Sequence, residues 1–131
     1  MQMRNASLLV LRLSLAVTFV WIGFFIAQDP ESWGTGFIKP WAQELLPVPL
    51  LEIMKATAVL DIVVGLVLLS RKYGWIAGAV GSLHLLGVLI VAGVDAITIR
   101  DVGLLGATLA FTFATMPESV ASKLKLTKTS N

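Results

Sequence analysis

The chain has 131 residues, 56% of them hydrophobic and 14% charged, with a formal net charge of +2 and a mean hydropathy of +0.86. That length allows one domain, and that balance leaves a water-soluble globule too little polar surface to cover itself, so the composition points to an integral membrane protein. With no cysteine, a disulfide framework, a thiolate nucleophile and thiolate-held zinc or iron–sulfur clusters are excluded. Basic residues gathered at termini and turns read as topology signals, and no nucleic-acid surface is expected.

Met1 to Asn5 is a short polar lead containing Arg4, and Ala6 to Ala27 is an apolar run of spanning length interrupted by Arg12. The run is too long for a signal peptide and no small-x-small cleavage site follows it, so it reads as a retained first helix. Gln28 to Pro49 carries Pro30, Pro40, Pro47 and Pro49 and cannot be one straight helix. Its Trp33 and Trp41 suit a membrane interface, and a short helix from about Lys39 to Leu46, with Pro40 in its first turn, can lie flat on the surface. The segment reads as an interfacial loop or, in a sharper version, as a lid over a cavity between the helices.

Leu50 to Val94 consists of two apolar runs joined by Arg71-Lys72. Each is about twenty residues, enough at ~1.5 Å per residue to cross a ~30 Å hydrocarbon core. The second helix is expected over about 50–70 and the third over about 74–94. Glu52 and Lys55 stand one turn apart and can pair at the interface. Asp61 falls near the middle of one helix and His84 near the middle of the next, where an ionisable side chain faces inward and needs a partner. Gly74, Gly78 and Ser82 form a small-residue seam, and Gly81 and Gly87 flank His84 by three residues on either side.

Asp95 to Asp101 reads as a turn, with Asp101 as N-cap of a fourth helix over about 102–116 and Arg100 available to pair with Asp29, Glu31 or Glu44. Pro117 opens a polar tail whose Lys123, Lys125 and Lys128 are solvated or touch headgroups. Arg4, Arg71-Lys72 and the tail lysines fall on one side of four spans, and Asp29, Glu31, Glu44, Asp95 and Asp101 on the other. The expectation is an all-α, up-down-up-down transmembrane four-helix bundle in the cell membrane, with both termini cytoplasmic.

Asp61 and His84 lie level on antiparallel neighbours. They read either as a polar clasp between two helices or as a proton-handling pair beside a quinone-like headgroup, whose carbonyl oxygens need protons in a lipid-accessible pocket. Arg12 reads as a snorkelling or ion-paired side chain, or as one holding an anionic or carbonyl group of the ligand. Gly81, Gly87 and Trp21 complete the candidate ligand contacts. Haem is disfavoured because there is a single histidine, and His84, Asp61 and Glu52 lack the spacing of a metal site.

The chain resembles the DoxX family of small four-helix membrane proteins. The likeness rests on Arg12 followed by an apolar run to Gly23, on Asp61-Ile-Val-Val-Gly65-Leu-Val-Leu68-Leu69, and on Arg100-Asp101-Val-Gly103-Leu-Leu-Gly106. It departs from the family in having Asp61 where Glu is common, no lysine in Phe24 to Gln28, and Met116-Pro117-Glu118 in place of a glycine-rich ending. The resemblance implies a membrane component associated with quinone-linked oxidation of sulfur compounds or with oxidative-stress complexes. Two functions are therefore expected as alternatives: a quinone-binding subunit of a membrane oxidoreductase whose redox centre sits in a partner, or a non-catalytic scaffold packing against other membrane subunits or further copies of itself.

Overall fold

The computed structural model describes residues 2–125, and Lys128 lies outside them. The described chain is helical throughout, in the order α1 (Gln2–Gln28), α2 (Pro30–Phe37), α3 (Pro40–Glu44), α4 (Leu50–Leu68), α5 (Gly74–Ala92), α6 (Ile99–Thr115) and α7 (Glu118–Lys123). The polar lead is part of α1: Ser7 Oγ donates to the Met3 carbonyl 2.9 Å away, and no breaker stands before Gln28. The proline-rich interlude forms two short helices rather than one. Asp29 caps α2 by accepting from the Ser32 N–H, and Pro30 and Pro40 occupy first turns, where the missing N–H costs no hydrogen bond.

α1 packs along α4 over much of its length, α5 along α6, and α4 with α5 and α1 with α6 less extensively. The direction alternates. Gly23 faces Ala58 and Asp61 whereas Gly65 faces Ala16 and Val20, so α1 and α4 run antiparallel. Gly81 beside Val64 and Gly74 beside Leu68 give the same sense for α4 and α5. α6 returns through the 93–98 turn, which Gly93 enters at φ 76°, a conformation that glycine reaches without strain.

By length and composition, α1 and α5 are apolar enough to cross a membrane. α4 carries Glu52, Lys55 and Asp61, and α6 has 17 residues, which separates both from that class. The outer surface is nevertheless apolar on all four long helices. Val17, Trp21 and Phe24 of α1, Val59 and Leu66 of α4, Leu83 and Ile90 of α5, and Phe113 of α6 are exposed. A water-soluble monomer rarely shows contiguous apolar surface on this scale.

The buried core is divided. At the end where α1 begins and α4 finishes, Leu15, Ala16, Phe19, Val64, Leu68, Ala77 and Phe111 close on one another. Ser82, Thr108 and Thr112 are buried there too, each donating to a carbonyl of its own helix four residues back. At the opposite end a smaller cluster of Ile26, Met54 and Ala58 is covered by Trp33 and Ile38. The glycines show why the two ends differ. A Cβ at Gly74, Gly78 or Gly81 would press on Leu68, Thr112 or Phe19, whereas one at Gly87, Gly103 or Gly106 would meet nothing within 4 Å. Small residues draw α5 onto α4 and α6 at one end and leave it free of them near Gly87, while α1 and α4 stay close at both ends, through Gly65 and Gly23.

Candidate functional site

The bundle encloses a cavity of about 990 Å³ with an overwhelmingly apolar lining. Its lining on α1 runs from Leu11 to Ile26, and α2–α3 covers its end with Trp33, Phe37, Ile38 and Ala42. This cover is fastened on two sides: Gly34 lies against Leu50 and Met54 of α4, and the Lys39 N–H donates to the Val91 carbonyl of α5 at 2.9 Å. Trp33 stacks on Phe37 at 5.0 Å and lines the cavity; Trp41 is exposed.

Polar groups are few, and they come from every side: Ser14 and Thr18 of α1, Thr57 and Asp61 of α4, His84 of α5, and Thr98, Arg100 and Asp101 at the start of α6. Asp61 is 4% exposed, and its Oδ1 lies 3.2 Å from His84 Nε2, the one charged contact it makes among the described residues. Asp61 is placed there because Met54, Ala58, Val64, Gly65 and Leu68 form the inward stripe of α4 at three-and-four spacing. Thr57 stands one turn below Asp61, and Arg100 and Asp101 of α6 complete the polar lining together with Thr98.

Asp61, His84 and Gly87 line the cavity. Arg12, Gly81 and Trp21, expected beside them, do not line it. Arg12 Nη1 donates to the Leu68 and Ser70 carbonyls at 2.6 and 2.7 Å, with its guanidinium 4.9 Å from the Phe111 ring centre. It thus satisfies acceptors left open at the C-terminal end of α4, forms no ion pair among the described residues and does not line the cavity. Gly81 is filled by Phe19 and Val64. Trp21 is 58% exposed and packs edge-on against Phe25, because the inward face of α1 runs through Leu15, Phe19, Gly23 and Ile26.

Two expectations at the start of α6 also change. Asp101 does not cap the helix; it is a half-buried residue of the first turn that faces the cavity. Thr98 is the N-cap, and the carboxylate that fixes the turn before it is Asp95, whose Oδ1 accepts from the Ile97 and Thr98 N–H groups at 2.7 and 2.8 Å. Those bonds, from Thr98 first and Ile97 second, hold the Asp95 carboxyl below its usual range. Arg100 forms no ion pair with Asp29, Glu31 or Glu44 among the described residues and lies at the cavity's edge. Asp101 was legible as part of a stripe, Asp101-Leu104-Thr108-Phe111, but its position next to a turn made capping the simpler reading. Glu52 pairs with Lys55 at 3.2 Å on the exposed side of α4, and no three potential metal ligands converge among the described residues.

The cavity offers a long apolar chamber with a carboxylate–imidazole pair on its wall. That arrangement suits a lipophilic molecule with a small polar head able to exchange a proton or accept a hydrogen bond. No family model, curated protein or solved structure matches the chain.

Proposed function

We propose that the chain is a multi-pass membrane protein, an up-down-up-down bundle of α1, α4, α5 and α6 with both termini cytoplasmic, that binds a quinone-like headgroup against Asp61 and His84. The observation that carries the reading is the placement of that pair, 3.2 Å apart, on the wall of an otherwise apolar cavity of about 990 Å³. The exposed apolar belt supports the membrane setting, and the segregation of Arg4 and Arg71-Lys72 from Asp29, Glu31 and Asp95 supports the orientation. Membership of the DoxX family belongs to the same proposal and rests on the motifs around Arg12, Asp61 and Arg100.

A quinone takes up two electrons and two protons on reduction. In this reading the chain supplies the proton side: the His84 imidazole exchanges a proton with a carbonyl oxygen, and Asp61 stabilises the imidazolium and orients the ring. Electrons come from a partner subunit, since the chain has neither cysteine nor a dinucleotide fingerprint. A scaffold role is the second reading, favoured by Gly103 and Gly106, where a neighbouring transmembrane helix would find open backbone.

Native mass spectrometry of protein extracted gently with its lipids is expected to show a bound quinone. Titration with a short-tailed quinone should show Asp61→Asn, which keeps the side-chain shape, weakening binding by about tenfold, equivalent to ~1.4 kcal/mol. Equal affinity in the folded variant, or co-isolated subunits with no quinone, would rule out the ligand role in favour of the scaffold.

A further inference from the structure

The Asp61–His84 pair stands well away from one end of its cavity. Asp61 lies beside Gly23 of α1, yet the lining on α1 continues from there to Leu11. Gly23 and Leu11 are twelve residues apart, about 18 Å of helix at ~1.5 Å per residue. A headgroup held by the pair leaves that length of the chamber unfilled.

The walls of this remoter part are fewer. α4 lines the cavity only through residues 53–61 and α5 only through 83–92, so past the pair, toward the start of α1, the chamber is a groove between α1 and α6 among the described residues. On α1 it follows Ile22, Thr18, Ser14 and Leu11, a stripe at four-and-three spacing on the side away from Ala16, Val20 and Gly23, which carry the contact with α4. None of those four is buried, although Leu15 and Phe19 behind them are. The Thr18 hydroxyl donates to the Ser14 carbonyl at 2.8 Å, so that donor is spent within α1.

This groove opens sideways. Of the neighbouring pairs of long helices, α1 and α6 pack least extensively. Ser14 and Gly103 line the chamber and are exposed, and a Cβ at Gly103 would meet nothing within 4 Å. The other loosely packed seam, between α4 and α5, is shut toward the start of α1, where Gly81 packs on Val64 and Phe19. Its exposed lining residues, Leu83 and Gly87, stand within one turn of His84 and border the head instead.

We infer that the ligand is a long-tailed lipid whose head meets Asp61 and His84 and whose tail lies along the α1 stripe, passing into the bilayer between α1 and α6. The inference rests on the pair being the head's site and narrows the ligand class to lipid-phase quinones. A tail in the groove covers the apolar surface of Leu11, Thr18 and Ile22 that the bundle leaves open, which favours it there over a tail-less molecule.

The test uses the full chain in phosphatidylcholine vesicles and a quinone with an isoprenoid tail bearing a diazirine at its far end. Crosslinks that an excess of unlabelled long-tailed quinone displaces are mapped by peptide mass spectrometry, and are expected in residues 11–18 of α1 and 103–107 of α6. Ser14→Phe sets a ring in the mouth of the groove. It should weaken binding of the tailed quinone, relative to a tail-less one, by about tenfold, the order expected when a couple of methylene groups lose their burial. Val17→Phe, at an exposed position of α1 that does not line the cavity, should change neither. Displaceable crosslinks confined to α2–α3 or to α4 and α5 would overturn the inference and leave the head site standing, as would a tail that adds as much affinity in Ser14→Phe as in wild type. If neither quinone binds, the head site and the inference fall together.

Discussion

Two aspartates close in sequence divide the labour at the start of α6. Asp95 is fully exposed yet fixed by two N–H donors and the Thr98 hydroxyl, whereas Asp101 is half-buried with no hydrogen-bond partner recorded for its side chain among the described residues. The depressed Asp95 carboxyl has a definite consequence for pH. Its folded value lies below the ordinary 3.8, so its contribution to stability is present above that value and is lost as the pH falls through the folded one. Asp95→Asn is therefore expected to lower Tm in detergent near neutral pH, and the difference from wild type should shrink progressively as the pH is taken below about 4. A constant difference across that range would show that the carboxylate's charge is not what holds the turn. Nothing in the sequence separated these two residues: both precede an apolar run, and only the burial of the Asp101 stripe distinguishes the turn-fixing aspartate from the one on the cavity wall.

Among the helices, the placement of glycine decides where the bundle is tight. Gly65 sits against the Ala16 carbonyl and the Val20 backbone, and a Cβ there would come within 2.8 Å of that carbonyl oxygen. α1 and α4 would have to separate, and Gly65→Ala is expected to destabilise by about 1–3 kcal/mol in a detergent unfolding titration. Gly106→Ala meets open space and should stabilise α6 by about 0.5–1 kcal/mol through its helix propensity. Similar effects from the two substitutions would contradict that difference in packing. The four long helices were legible to within a few residues, because each is a long apolar run between clear breakers. What was not legible is which glycines are filled and which are open. Gly81 and Gly87 flank His84 symmetrically in sequence, yet one packs on Phe19 and the other borders the cavity, since α4 and α5 diverge between them. Likewise α2 escaped notice because Pro30 and two glycines suggested a loop, while Asp29 and the stacking of Trp33 on Phe37 make a helix of it.

For the molecule as a whole, the outer surface differs from that of a soluble protein: large apolar side chains look outward along all four long helices as well as into the core. Trp21 is the convenient reporter, being 58% exposed in the last third of α1. In vesicles of lipids brominated along their acyl chains its fluorescence is expected to be strongly quenched, and Trp21→Phe should remove most of the quenching while Trp41→Phe leaves most of it. Insensitivity of Trp21 to the bromines would count against immersion of the bundle. A further property follows from how the α2–α3 cover is attached. Its flanks are continuous with α1 and α4, but the backbone tie to α5 is the single bond from Lys39 to Val91, 2.9 Å long. Such a bond contributes on the order of 1 kcal/mol net, far less than the packing of any long helix. The chamber is thus closed by a cover continuous with two helices and latched lightly to a third, so a guest of the kind proposed would enter by unfastening one amide while the load-carrying frame stays assembled.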